Sequence, residues 1–179
     1  GLTYEQEITS AISYVTQDTI PRVMVLQGHG ELDANATAVL EDFLSGNNFE
    51  VRYFELSDTD VTLEPTDLLM ILSPQRDFMD TELKTLTDFA AAGGSMFITC
   101  DYSDNVDNMP NYQSLLRSYG FQPLNGIVVA STEESGTYYD EYPILLLPYM
   151  QRSAATLQLV EGNSDTLLLA GSRAFAQPE

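Results

Sequence analysis

Val23-Met24-Val25-Leu26-Gln27-Gly28-His29-Gly30-Glu31 decides the reading of this chain: an apolar run of strand length stops at a glycine-rich turn, and a helical pattern follows. Strand, turn and helix in that order open an α/β unit, and in such sheets ligands are met at the turns on the carboxyl ends of the strands. The only histidine of the chain, His29, sits in that turn.

The same rhythm continues outward from this unit. A segment over residues 2–17 carries Ile8, Ala11, Ile12 and Val15 at helical spacing and ends before Pro21, which predicts an opening helix. After the strand at 23–27, Asp33 or Asn35 caps a helix whose inward face is Ala36, Val39, Leu40, Phe43 and Leu44, ending at Gly46. Residues 50–56 read as a strand near an edge, because Arg52 and Glu55 interrupt its apolar side chains. Leu68-Leu69-Met70-Ile71-Leu72 is an unbroken apolar run of the kind buried on both faces of a parallel sheet, closed by Ser73-Pro74. A helix capped by Asp80 carries Leu83, Leu86, Phe89 and Ala90 inward and stops at Gly93-Gly94. A further buried strand at 95–99 then runs into Cys100-Asp101. A helix from Asn111 through Tyr119 ends at Gly120, and 126–129 reads as the fifth strand. Beyond residue 130 the rhythm fails. Short strands are expected at 144–147, at the edge between Pro143 and Pro148, and at 156–160 and 166–170.

The expectation is one α/β domain over residues 1–179: a Rossmann-like, mostly parallel sheet with helices on both faces, a core at 8–130 and an irregular β-rich tail at 131–179. A chain of 179 residues buries roughly 70% of its unfolded surface, enough for a core without disulfide or metal. Its 44% apolar content with ten Tyr and eight Phe is that of a globular protein. Seven Lys and Arg against 27 Asp and Glu give a net charge of −20. That charge repels phosphate backbones and anionic lipid headgroups, which disfavours nucleic acid and direct membrane binding. Cys100 is alone, so no intrachain disulfide forms and the redox compartment is not legible from it. No apolar run reaches the roughly 18–20 residues that span a bilayer. The first residue, Gly1, and the close at Gln177-Pro178-Glu179 read as a domain excised from a larger protein, with any membrane anchor in its flanks.

Two readings of the Gly28-His29-Gly30-Glu31 turn stand side by side. An imidazole and a carboxylate on one loop are suited to contacting a ligand, to proton transfer or to one corner of a metal site. As a turn alone, the glycines permit positive φ, Glu31 complements the positive end of the following helix and His29 bonds a neighbouring carbonyl. The third glycine of a dinucleotide fingerprint is missing, and no Gly-Lys-Ser/Thr follows. Cys100 ends a strand where an amidotransferase nucleophile would sit, but Thr99-Cys100-Asp101-Tyr102 has no elbow glycines and no His follows to act as base. A pair of Cys100 with His29 is the enzymatic alternative. Asp101, Asp104, Asp107 and Asp140 do not have calcium-loop spacing. Tyr138, Tyr139, Tyr142 and Tyr149 offer aromatic faces to packing, sugars or a protein partner.

The order of these pieces resembles a known family. Ala11-Ile12-Ser13-Tyr14-Val15-Thr16, the Gly28-His29-Gly30-Glu31 turn, Leu72-Ser73-Pro74, the 83–89 helix into Gly93-Gly94-Ser95-Met96-Phe97-Ile98, and Tyr119-Gly120-Phe121 before Gly126-Ile127-Val128-Val129 resemble the extracytoplasmic auxiliary domain of gliding-motility-type ABC transporters. That domain is similar in turn to the glutamine-amidotransferase-like domain of intraflagellar-transport proteins. The resemblance implies a flavodoxin-like, class I glutamine-amidotransferase-like sheet without the catalytic triad, held next to an ABC permease and ATPase on the outer face of a bacterial membrane. It implies no cofactor. Cys100-Asp101 departs from the apolar-Asp ending of that pattern, and Gln151-Arg152-Ser153 lacks its histidine. The function expected is therefore non-enzymatic: binding of a transporter component, or of a small-molecule or carbohydrate ligand, at the carboxyl edge of the sheet through His29, Glu31, Ser73 and Asp101. The other alternative is a structural spacer.

Overall fold

The computed structural model describes residues 8, 20–102, 105–131, 133, 136–154, 156–162 and 166–177. The expected opening helix lies outside these except for Ile8, which is helical. The chain forms two compact units, one of Gly1–Cys100 with Asp104–Tyr119, the other of Asp101–Ser103 with Gly120–Glu179.

The first unit is built on a four-stranded parallel sheet of β1 (Arg22–Gln27), β2 (Glu50–Glu55), β3 (Leu68–Leu72) and β4 (Ser95–Thr99), in the order β2-β1-β3-β4. Val25 aligns with Tyr53 on one side and Met70 on the other, and Met70 aligns with Phe97. Parallel neighbours need crossovers. α1 (Ala38–Gly46) joins β1 to β2, and α2 (Asp80–Ala91) joins β3 to β4. The β2–β3 crossover has no helix; Leu56, Val61 and Leu63 from it are partly buried against the core. Its end is pinned by Arg22, whose guanidinium donates to both oxygens of the buried Asp67 at 2.8 and 2.7 Å.

Alternation along the strands separates two apolar clusters. Met24, Leu26, Leu69 and Ile71 face Leu86 and Phe89 of α2 and Tyr112, Leu115 and Leu116 of α3 (Pro110–Ser118). Val23, Val25, Met70 and Leu72 face Leu44 of α1. β1 and β3 are central strands covered on both faces, which is why their sequences are apolar without a break. Pro110 opens α3, where its missing N–H has no partner to lose.

Several expectations are corrected. Val39 and Phe43 are not inward: they are 83% and 66% exposed. The carboxylate of Asp33 accepts the N–H groups of Asn35 and Ala36, so a turn precedes the helix. Thr37 and Glu41 both hydrogen-bond the Tyr53 hydroxyl on β2, at 2.8 and 3.0 Å, and this fixes the rotation of α1. β4 is not buried on both faces but lies at an edge, with Phe97 49% exposed. Residues 126–129 form no strand of that sheet. In the second unit the N–H groups of Leu124, Val128 and Ala130 bond the carbonyls of Ala174, Ser172 and Pro143, so this apolar run finds its partners in the tail.

The second unit pairs β5 (Gln122–Pro123) with β9 (Phe175–Ala176), and places β7 (Tyr142–Leu146) between β6 (Tyr138–Tyr139) and β8 (Leu169–Ala170), all antiparallel. The strand expected between two prolines is thus a middle strand, and only two residues of 166–170 are extended. The strand expected at 156–160 is instead the helix α4 (Leu157–Glu161). Ser153 Oγ accepts the Thr156 N–H while Thr156 Oγ1 accepts the Ser153 N–H, a reciprocal cap that starts a helix.

Gly94 is where the core is tightest: a Cβ there would stand 2.3 Å from the buried Phe89 ring. Gly94→Ala is expected to lower unfolding free energy by about 1–3 kcal/mol through overpacking. Gly46→Ala, with nothing within 4 Å of the added Cβ, is expected to be neutral or stabilising by up to about 1 kcal/mol. Urea unfolding of both variants checks the contrast.

Candidate functional site

In a sheet ordered β2-β1-β3-β4 the chain leaves β1 toward one edge and β3 toward the other, so the turns after β1 and β3 meet at the topological switch point. Those turns are Gly28–Glu31 and 73–76. Gly28 and Gly30 have φ of +108° and +80°, a conformation that suits glycine. The two turns are bonded to each other through the backbone: the His29 carbonyl accepts the N–H groups of Gln75 and Arg76 at 2.8 and 2.9 Å, and Leu32 N–H donates to Leu72 O at 3.0 Å. The Arg76 guanidinium adds a bond to the Gly28 carbonyl at 2.7 Å.

The His29 side chain points inward and is buried, as are Glu31 and Glu82. Its Nε2 lies 3.0 Å from Glu82 Oε2, and the same oxygen accepts the Met79 N–H at 2.7 Å at the start of α2. Its Nδ1 faces Glu31 Oε1 at 3.3 Å, and neither atom has another partner among the described residues. The second oxygen of Glu31 accepts the His29 N–H at 2.7 Å. Glu31, and then Glu82, raise the imidazole pKa above its ordinary value against the opposing effect of burial. A neutral ring has one N–H, so donation to both carboxylates would require the imidazolium; the bond is made at Nε2, while Nδ1 faces Glu31 Oε1 without a hydrogen bond.

Around this trio the packing runs on to α3. The Phe78 ring meets the imidazole edge-on at 4.7 Å and Tyr112 at 6.0 Å. Tyr112 donates its hydroxyl hydrogen to the Thr99 carbonyl at 2.9 Å, and the Asp77 carboxylate accepts the N–H groups of Asn111 and Tyr112. Ser73, at φ +52°, is half-buried at the end of β3 and shares a hydrogen bond with Thr99 Oγ1 at 3.1 Å.

The structure therefore brings His29 and Glu31 into direct contact and places Ser73 on the neighbouring turn. Asp101 is exposed and belongs to the second unit, where its carbonyl accepts the Arg173 Nε–H at 3.0 Å. Cys100 is half-buried and packs against the first core cluster. The His29 ring is buried between Glu31 and Glu82, with Nε2 bonded to Glu82 and Nδ1 turned toward Glu31. The two nitrogens diverge, so Glu31 and Glu82 do not converge with His29 on a single cation position. Among the described residues no group of three or more His, Cys, Asp or Glu is placed to hold a metal ion. Glu82 was the residue sequence reasoning missed. Its signal was present in Met79-Asp80-Thr81-Glu82, where a carboxylate three residues past the helix cap reaches back to the cap N–H.

A four-strand parallel sheet flanked by helices in this order defines a Rossmann-like protein. Residues 20–154 match the family described as an ABC-type uncharacterized transport system, an auxiliary component, and the chain belongs to that family. The family implies association with components of the transporter. No curated protein matches the sequence. A solved structure titled mmIFT52 N-terminal domain is similar in fold, with a TM-score of 0.65 at 15% identity over 88% of this chain and 69% of that one. Among the described residues no helix is long and apolar enough to cross a membrane.

Two outcomes are expected. Glu82→Ala removes the partner of both the imidazolium and the Met79 N–H, and should cost about 3 kcal/mol by urea unfolding. Because the folded-state pKa of His29 is raised above the ordinary 6.5, its contribution is fully present below that value and is lost as pH rises through the folded pKa. The stability difference between the wild type and His29→Gln should shrink as pH rises above the ordinary value of 6.5; a constant difference would contradict the raised pKa of His29.

Proposed function

We propose that this chain is a non-enzymatic accessory domain of an ABC transport system that docks a transporter component at the carboxyl edge of its parallel sheet, on the extracytoplasmic side. The family match supports the association, and the resemblance carried by the Gly-His-Gly-Glu turn supports the side of the membrane. The observation that carries the docking reading is the state of the switch point. His29 and Glu31 are turned inward onto one another and onto Glu82, so their role is to fix the shape of the turn. Gly28, Gly30, Leu32, Gln75 and Arg76 remain exposed as its rim, next to Ser73. A rim of exposed backbone and side chains on a rigid base suits a protein surface.

Leu32→Asp and Gln75→Ala alter the rim without touching the buried trio. Each is expected to weaken co-purification with the cognate permease by about tenfold, with the urea midpoint unchanged. Unaltered association would move the contact surface away from this edge, to Tyr138, Tyr139 and Tyr142 in the first instance.

A further inference from the structure

β4 closes one side of the parallel sheet: it pairs with β3 and, among the described residues, with no other strand. Alternate residues of a parallel strand turn both backbone groups to the same neighbour. The Thr99 carbonyl accepts the Ser73 N–H at 3.2 Å on the β3 side. Ser95, Phe97 and Thr99 therefore face β3, while Met96 and Ile98 present their N–H and C=O groups to the open edge.

Exposed edges are normally blunted by charge, proline or a bulge. The opposite edge obeys this rule, since β2 carries Glu50, Arg52 and Glu55 among its six residues. β4 does not: Ser95-Met96-Phe97-Ile98-Thr99 has no charge and no proline. Its chemistry is also the same read in either direction: hydroxyl, long apolar chain, phenyl ring, long apolar chain, hydroxyl.

We propose that β4 is a self-association edge, to which a second copy of this chain adds its own β4 antiparallel about a two-fold axis at Phe97. Ser95 then lies opposite Thr99, Met96 opposite Ile98, and Phe97 opposite its own copy. Met96 and Ile98 form the two hydrogen-bonded pairs, whose four bonds satisfy every outward backbone group. Phe97 falls in the non-hydrogen-bonded pair, where side chains approach most closely. The ring of each Phe97, 49% exposed in the single chain, is covered by the other. Every cross-strand pair is matched in type, and the dyad closes the assembly at two chains. The net charge of −20 per chain opposes this contact, but none of that charge lies on the strand. The repulsion is long-ranged and screened by salt, so ionic strength strengthens the dimer.

Sedimentation equilibrium of the 179-residue chain tests this. The dimer dissociation constant is expected to fall at least about tenfold between about 0.05 and 0.5 M NaCl. Phe97→Lys sets two ammonium groups opposite each other and should leave a monomer at every salt concentration, with its circular dichroism unchanged. Phe97→Cys in a Cys100→Ala background should oxidise to a covalent dimer, because such a pair stands about 4.5 Å apart at Cα, within disulfide reach. A wild-type chain that stays monomeric in high salt, a dimer that survives Phe97→Lys, or thiols that do not cross-link would each overturn the proposal. Should Phe97→Lys fail to fold, the cross-link decides.

Discussion

The arrangement at the head of the sheet depends on one buried histidine. His29 stands between Glu31 and Glu82, and these two carboxylates raise its pKa above the ordinary value against the effect of burial. Burying three charged groups is costly unless each is paired and hydrogen-bonded. Backbone donors contribute as well as the ring: the Met79 N–H shares Glu82, and the His29 N–H is held by Glu31. The partners are 53 positions apart in sequence, on the turn after β1 and the first turn of α2. The trio therefore fixes the turn to the helix, and Phe78, Asp77 and Tyr112 extend the constraint to α3 and to the end of β4.

This constraint bears on what the crevice can do. In open α/β sheets the switch point is the usual place for a small ligand, held by side chains that project into it. Here His29, Glu31 and Ser73 are directed at protein groups rather than into the crevice. The imidazole is engaged at Nε2 and turned toward a carboxylate at Nδ1, and Ser73 Oγ is shared with Thr99. The groups left outward are glycine backbone, Leu32, Gln75 and an arginine already bonded to the Gly28 carbonyl. An auxiliary component needs a surface that keeps its shape while a partner is engaged, and preorganisation of that kind comes from cross-linking two turns through the backbone and a helix start through an ion pair.

What was legible in the sequence follows the range of the interactions. β1 and β3 declare themselves because a strand buried on both faces must be apolar at every position, a property each residue carries alone. α2 and α3 are marked by local signals, the glycine pair 93–94 and Gly120. The misreadings all turn on partners that composition does not name. Hydrophobicity alone turns Val39 and Phe43 inward on α1, whereas the Tyr53 hydroxyl, donating to Glu41 and sharing a hydrogen bond with Thr37, fixes its rotation and leaves both in water. The runs at 126–129 and 156–160 have strand composition, yet one takes its bonds from the tail and the other is capped by Ser153 and Thr156. The turn at 28–31 is recognisable as a place, but the burial of its side chains is not, because Glu82, which His29 Nε2 meets, lies 53 positions away. Edge and centre are likewise a matter of pairing. Apolar residues make 95–99 resemble 68–72, and only the sheet order distinguishes a strand with two neighbours from one that has a single neighbour among the described residues. For a sheet, then, the pattern of a strand states what it can bury, and the question of what it buries against belongs to topology.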